Sequence, residues 1–121
     1  MNPDDIARLA ASDTVATLLP AYDLSTRQRF APARELADAG RTIALATNCN
    51  PGRSCTTSMQ FCVATAALHR RLSIAETVWA ATRGGARAVG RDTGVDAVGS
   101  LHLGGPADLQ ILDAPSVSHL A

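Results

Sequence analysis

Two runs of apolar residues in the first half of the chain predict buried strands. Residues 14–19 (T-V-A-T-L-L) and 42–47 (T-I-A-L-A-T) contain apolar and β-branched side chains with no polar alternation. Such runs are typical of strands that are buried on both faces of a parallel sheet. Between them, residues 32–39 predict a helix that ends at Gly40, because glycine suits the left-handed cap conformation. The three segments have the order of a βαβ unit.

Capping and helix-breaking residues predict the remaining helices. Asn2 and Pro3 suit the cap and the first position of a helix over residues 3–11. Ser73 and Glu76 form a capping-box pattern, so a helix is expected to begin at Ile74. The other expectations are a polar loop over residues 21–30, a helix over 57–72, and an extension of the Ile74 helix, loosened at Gly84 and Gly85, to Gly90.

The C-terminal third has a different pattern, in which polar and apolar residues alternate. Residues 98–103 (V-G-S-L-H-L) are followed by a Gly-Gly-Pro turn at 104–106 and by a return over 107–113. This pattern predicts a β-hairpin with one buried face. On that hairpin His102 is expected to face solvent, and Asp108 to be a structural residue rather than a catalytic acid.

The composition indicates a folded chain with a thin core. Hydrophobic residues make up 46% of the 121 residues and charged residues 18%, which is a globular composition. Only 3% of the residues are aromatic and 23 are alanine, so each core side chain buries little area. Two parallel strands cannot close a sheet. We therefore expect their edges to be covered by a missing portion of a larger barrel or by self-association.

The charge balance excludes two classes of partner. Eleven basic and eleven acidic residues cancel, and the sequence pI is about 6.8. No field of one sign is available to attract nucleic acid or an anionic membrane. The chain contains no apolar run of membrane-spanning length, and its first residues are acidic rather than basic. We therefore expect a cytoplasmic protein.

The cysteines and one arginine pair suggest structural rather than catalytic roles. Cys49, Cys55 and Cys62 lack a C-x-x-C pair, which argues against a zinc cluster, and buried free thiols are the expected state in a reducing compartment. Arg70 and Arg71, near a predicted helix end, are expected to interact with the last carbonyls and with solvent.

Three stretches carry a resemblance to a known family. They are residues 42–52 (T-I-A-L-A-T-N-C-N-P-G), residues 56–61 with the helix beyond, and the G-S-L…G…A-D-L…L-D-A-P pattern over 99–115. Together they resemble imidazolonepropionase, a metal-dependent hydrolase of the amidohydrolase superfamily that acts in histidine degradation. The resemblance implies an α/β fold. It predicts the last two strand–helix units of a (β/α)8 (TIM-type) barrel over 1–92, and a β-hairpin and tail of the composite β-sandwich domain over 93–121.

The resemblance also assigns roles in the loop that follows the second strand. Asn48 occupies the position of the family's metal-binding Asp, for Zn or Fe. Asn50, Gly52 and Arg53 occupy substrate-binding positions. Asn48 offers only a neutral oxygen, which makes it a doubtful ligand, and Arg53 replaces a small hydroxyl residue. The three histidines match none of the family's site positions, so we expect no catalytic residue in this chain.

The function implied is hydrolysis of the ring of a small-molecule substrate, imidazolone propionate, at its cyclic amide C–N bond. The product would be N-formimidoyl-glutamate, and the isolated chain is expected to be inactive. Two alternatives stay open: a non-catalytic interaction module, or a decayed remnant that needs the missing barrel half to fold. Residues 48–52 are also compatible with a plain strand-to-helix turn, since Asn, Pro and Gly are common in turns.

Overall fold

The computed structural model describes residues 1–120, and these form an α/β fold with two parallel strands. The elements in chain order are α1 (Pro3–Ala10), β1 (Ala16–Leu18), α2 (Pro20–Ser25), α3 (Ala33–Asp38), β2 (Ile43–Leu45), α4 (Met59–Arg70), α5 (Ile74–Trp79), a π-helical turn (Ala80–Gly84), α6 (Gly85–Ala88) and a 3₁₀-helix (Val117–Leu120). None of the helices among these residues is long and apolar enough to cross a membrane.

The two strands pair in parallel, as the buried runs predict. Ala16 lies opposite Ile43, and Leu18 opposite Leu45. Each strand has only three paired residues, shorter than the predicted runs, because each has a single neighbour among the described residues. All three residues of β2 are buried. Because the strands are parallel, the segments that follow Leu18 and Leu45 leave the sheet at the same edge.

The core lies between the sheet and the helices that pack on it. It consists of small and medium aliphatic side chains, as the composition indicates: Leu18, Ala33, Leu36, Ile43, Leu45, Val63, Ala66, Leu72 and Ala80. Leu36 of α3 is fully buried. The predicted caps are confirmed, because Asn2 with Asp5 and Ser73 with Glu76 both form capping boxes.

In the last long helical segment, Gly84 lies directly against the backbone of β2. Helix α5 continues through the π-helical turn into α6, at the Gly84-Gly85 pair where a loosened helix is predicted. A Cβ at Gly84 would overlap the carbonyl oxygen of Ile43, whereas a Cβ at Gly85 would have only an ordinary contact, with the Ala80 oxygen at 4.0 Å. Gly84 is therefore needed for the close approach of helix and strand.

The expectation of a polar loop over residues 21–30 is wrong at its start. Residues 20–25 form α2, and Pro20 occupies a first-turn position, where its missing N–H costs no hydrogen bond. Pro20 and Ala21 are the buried residues of this helix. The sequence signal was the proline itself, since it ends a strand and can also begin a helix.

The expectation for Arg70 is also wrong, because this side chain is buried rather than solvated. Its guanidinium donates to the Asp23 carboxylate and lies 5.1 Å from the centre of the Phe30 ring, which stacks in turn on His69. Burial lowers the pKa of Arg70, and the Asp23 carboxylate opposes that shift. The ion pair joins α2 to the end of α4. The expectation of a loop over residues 21–30 gave no reason to place Asp23 beside Arg70.

The predicted C-terminal β-hairpin over residues 98–113 does not form. This part of the chain contains no strand, and none of residues 98–120 is buried. Leu103 and Ile111 are 103% and 93% exposed. A lone hairpin is at best marginally stable in water, and no described strand pairs with this segment. His102 is exposed as expected, although not on a hairpin. The predicted second domain, 93–121, includes Ala121, which lies outside the described residues, and the division at residue 92 stays a prediction.

The expectation that all three thiols are buried holds for one of them. The three cysteines are free; Cys62 is buried, whereas Cys49 and Cys55 are exposed. Cys62 lies on the core side of α4, while the other two lie on the segment between β2 and α4. Burial raises the pKa of the Cys62 thiol.

Candidate functional site

The candidate site is the loop over residues 48–54, which leaves the end of β2 and leads towards α4. Asn48, where the loop begins, has a positive φ of 51°. Asparagine tolerates this left-handed conformation better than most residues, so the chain can turn sharply out of the strand here. The left-handed conformation of Asn48 therefore explains why the strand ends and the loop begins at this position.

The loop is closed on itself by backbone hydrogen bonds. Asn50 and Ser54 form an isolated antiparallel bridge, in which the Asn50 amide donates to Ser54 at 3.0 Å and the Ser54 amide donates back at 3.1 Å. Ser54 is buried, and its hydroxyl donates to the Thr47 carbonyl at 2.7 Å. This anchor fixes the returning arm of the loop to the end of β2.

The Asn50 side chain stabilises the turn that it begins. Its Oδ1 accepts from the Arg53 amide at 3.0 Å, and its Nδ2 donates to the Asn48 carbonyl at 2.8 Å. One N–H and further lone-pair capacity of the amide stay available for a ligand. The side chain expected to contact substrate is therefore held in place before any ligand binds.

Gly52 is not required by the fold. Its φ is not in the positive range, and a Cβ there would meet only Asn50 Oδ1, at an ordinary 3.8 Å. The residue is exposed. An alanine at this position would thus disturb the loop little. A loss of ligand binding in a Gly52→Ala variant would therefore indicate a ligand contact rather than a structural role.

Arg53 is the charged residue of the loop, and helix α2 holds it. Its carbonyl accepts from the Ser25 hydroxyl, and its Nη1 lies 3.5 Å from the Tyr22 hydroxyl oxygen. The structure thus brings the segment after β1 into contact with the loop after β2. Tyr22 and Ser25 were not identified from the sequence; the helix start at Pro20 is the signal that indicates them.

The residues around Asn48 do not fit a divalent metal ion. Residues 1–120 contain no group of three His, Cys, Asp or Glu side chains that could hold one. Asn48 itself is exposed and offers a neutral amide oxygen, whereas Zn²⁺ is held by thiolates, imidazoles and carboxylates. The structure brings Asn48, Asn50, Gly52 and Arg53 together in one loop but adds no anionic ligand to them.

Comparisons with known proteins identify relatives of this chain over most or all of its length. The chain is 58% identical over its whole length to an imidazolonepropionase of Saccharopolyspora erythraea, of which it covers 31%. It is 63% identical over 113 residues to the imidazolonepropionase of Paenarthrobacter aurescens, covering 89% of this chain and 28% of that protein. The chain thus spans about a third or less of the length of these relatives.

The fold has a relative among solved structures. A zinc-bound adenosine deaminase from Xanthomonas campestris matches 99% of this chain and 30% of its own, at 28% identity and a TM-score of 0.82. The sequence profile of the amidohydrolase family matches residues 1–121. The expected resemblance to imidazolonepropionases is confirmed, and the chain belongs to the amidohydrolase family.

Proposed function

We propose that this chain supplies the substrate-contacting loop of an imidazolonepropionase, as a C-terminal portion of its barrel. The reaction would be hydrolysis of the cyclic amide C–N bond of imidazolone propionate to N-formimidoyl-glutamate, in the cytoplasm. The observation that carries the proposal is the closed loop over residues 48–54, in which the Asn50 side chain is held by hydrogen bonds and the space beside Gly52 is open. The chain that contains this loop is 58% identical to an imidazolonepropionase.

Each substrate-binding position has a stated task in this proposal. The free donor and lone pairs of Asn50 hydrogen-bond the polar groups of the imidazolone ring. Gly52 lets its backbone come close to the ligand, since no side chain fills the space above it. Arg53 forms no ion pair among residues 1–120, and its fork of donors suits the propionate carboxylate.

Metal chemistry does not enter through this chain. In the related enzymes we expect Zn²⁺ or Fe²⁺ to activate water, but the residues around Asn48 do not fit such an ion. Asn48 occupies the position of the family's metal-binding Asp but lacks the negative charge of an aspartate. We therefore propose that catalysis needs ligands and catalytic groups beyond these 121 residues, and that the chain alone has no hydrolase activity with added Zn²⁺ or Fe²⁺.

A graft tests the proposal. The 121 residues replace the matched segment of the Saccharopolyspora erythraea relative, which supplies the remainder of its own chain. Hydrolysis of imidazolone propionate is measured with Asn48 and with Asn48→Asp. Mutating a residue that only supports a metal ligand lowers metal affinity or activity roughly 10–100-fold. We expect Asn48→Asp, which restores a ligand itself, to raise activity by at least that factor.

Gly52→Ala in the Asn48→Asp graft tests substrate contact. We expect about a tenfold loss of kcat/KM, the equivalent of one lost hydrogen bond, with an unchanged melting temperature. Gly85→Ala serves as the matched control, because it lies away from the loop and has room for a Cβ. A folded Asn48→Asp graft without activity would contradict the proposed function, as would turnover by the 121-residue chain alone.

The alternative of a non-catalytic interaction module is favoured by one observation. The two-stranded sheet has one strand edge on each side that no described residue pairs with. Size-exclusion chromatography of the chain separates the two readings: a defined, concentration-independent complex with itself or with a barrel polypeptide favours the module.

A further inference from the structure

The two exposed cysteines flank the closed end of the candidate loop. Asn50 and Ser54 exchange both backbone hydrogen bonds, and Cys49 and Cys55 are the residues immediately outside this pair. In antiparallel pairing, the position next to a mutually hydrogen-bonded pair is a non-hydrogen-bonded one, with Cα atoms about 4.5 Å apart. Disulfides span Cα separations of about 4.4–6.8 Å. A regular continuation of this bridge by one residue would place the two cysteines opposite each other at a spacing that a disulfide can span.

The Cys55 side chain points back over the turn rather than away from it. Its Sγ lies 3.0 Å from the Pro51 oxygen and 3.9 Å from the Asn50 oxygen. The neighbouring Ser54 is anchored to the end of β2, so the backbone that carries Cys55 is held. The fold therefore limits how far the two thiols can separate.

The third cysteine differs in burial and in surroundings. Cys62 is fully buried on α4, with its Sγ 3.8 Å from the Ala46 oxygen. Burial raises the pKa of this thiol, and the thiolate is the reactive form. Cys62 therefore serves as an unreactive internal reference for the exposed pair.

We propose that Cys49 and Cys55 form a reversible disulfide by exchange with a small-molecule disulfide of the oxidised-glutathione type. One protein thiolate attacks a sulfur of that disulfide, forms a mixed disulfide and releases one glutathione thiolate. The second protein thiolate then attacks the protein sulfur of the mixed disulfide and releases the other glutathione. Two protein thiols are oxidised, one glutathione disulfide is reduced to two thiols, and the two protein protons end on the released glutathiones.

The modification would close a covalent ring around the candidate loop. Asn50 and Gly52 lie inside this ring, so the oxidised chain holds the loop in its bridged form. The inference does not depend on the proposed function, because it uses only the bridge and the exposure of the thiols.

The test is exposure of the folded chain to oxidised glutathione, followed by intact mass and thiol counting. We expect the mass of two hydrogen atoms to be lost, no glutathione to be retained, and one thiol, Cys62, to stay free. Trypsin cleaves after Arg53, and cyanogen bromide cleaves after Met59, which separates Cys55 from Cys62. The link between residues 49 and 55 is then read directly from the joined peptides.

The unfolded chain is the matched control, because Cys55 is six positions from Cys49 and seven from Cys62. Loop-closure entropies for these spacings are almost equal, so in urea both links should form in similar amounts, and folding should favour the 49–55 link by about tenfold or more. Cys62→Ala should leave the product unchanged, whereas Cys49→Ser and Cys55→Ser should retain one glutathione each. Equal link ratios in folded and unfolded chains, two retained glutathiones, or disulfide-linked dimers would overturn the proposal.

Discussion

The match to the family covers residues 1–97 and residues 98–120 alike, yet only the first region contains buried residues. Every buried residue lies between Leu18 and Ala97, whereas residues 98–120 contain none. Both regions show the polar and apolar patterns of regular structure. The difference is that β1 and β2 pair with each other, while no described strand pairs with the predicted hairpin. A pattern becomes an element only where a partner surface exists.

The same contrast applies to the candidate site. The loop over residues 48–54 belongs to the first region and is held to it by hydrogen bonds through Ser54 and Arg53. The C-terminal region is held at a few points: Arg83 Nη1 donates to the Ser100 hydroxyl at 3.1 Å, Gly99 lies close against Thr82, and Leu120 packs, partly buried, on the core. The candidate substrate loop is thus preorganised by its neighbours, in the way that precise sites require.

The largest expected effect comes from breaking the buried ion pair of the packed region. Asp23→Ala leaves the fully buried Arg70 side chain without its anion, which should lower the free energy of unfolding by about 3–5 kcal/mol. Urea denaturation measures the change. Asp38→Ala is the control, because this carboxylate is 65% exposed and its surface pair with Arg34 should contribute little to stability. Equal losses in the two variants would contradict the burial of Arg70.

A smaller loss is expected at the contact between helix and strand. Gly84→Ala places a Cβ against the Ile43 carbonyl and should destabilise the chain by about 1–3 kcal/mol. Gly85→Ala, one residue on, has room for its methyl group and should stabilise by about 0.4–1 kcal/mol. Opposite signs in thermal melts would confirm the close approach; two stabilising changes would show that the helix does not press on β2.

A modest pH effect is expected from the capping box. The Ser73 amide and hydroxyl, followed by Arg34, lower the pKa of Glu76 below its ordinary 4.5. Because the folded pKa is the lower one, this stabilisation is present above pH 4.5 and is lost as pH falls through the folded value. Glu76 is partly exposed, so the loss should stay under about 1 kcal/mol. Glu76→Gln should flatten the acid limb of the melting-temperature profile, and an acid limb unchanged by this substitution would contradict the assignment.

The smallest effect is expected outside the packed region. Ile111→Ala removes a side chain that is 93% exposed and should change stability by no more than about 0.5 kcal/mol. Ile43→Ala, the same change at a buried position in β2, should cost about 2–5 kcal/mol. A large loss at Ile111 would mean that residues 98–120 form a packed unit after all.

The sequence predicted the fold where local chemistry decides it. Capping residues such as Asn2 and Ser73 define helix starts through bonds within one turn, and both caps form as predicted. The tertiary contacts were missed, because nothing local shows that Arg70 meets Asp23 or that Arg53 meets Tyr22. The positions of the loop, Asn48 to Arg53, came from resemblance, and their hydrogen bonds came only from the structure.

Native-state hydrogen exchange of the chain tests the contrast between the two regions most directly. The account predicts slow exchange at the bonded amides of the sheet and of the loop, including Arg53 and Ser54. It predicts unprotected rates at residues 101–103 and 109–111, whose amides have no backbone partner among the described residues. Alternating protection across residues 98–113 would reveal a formed hairpin and contradict the account, as would fast exchange at Ser54.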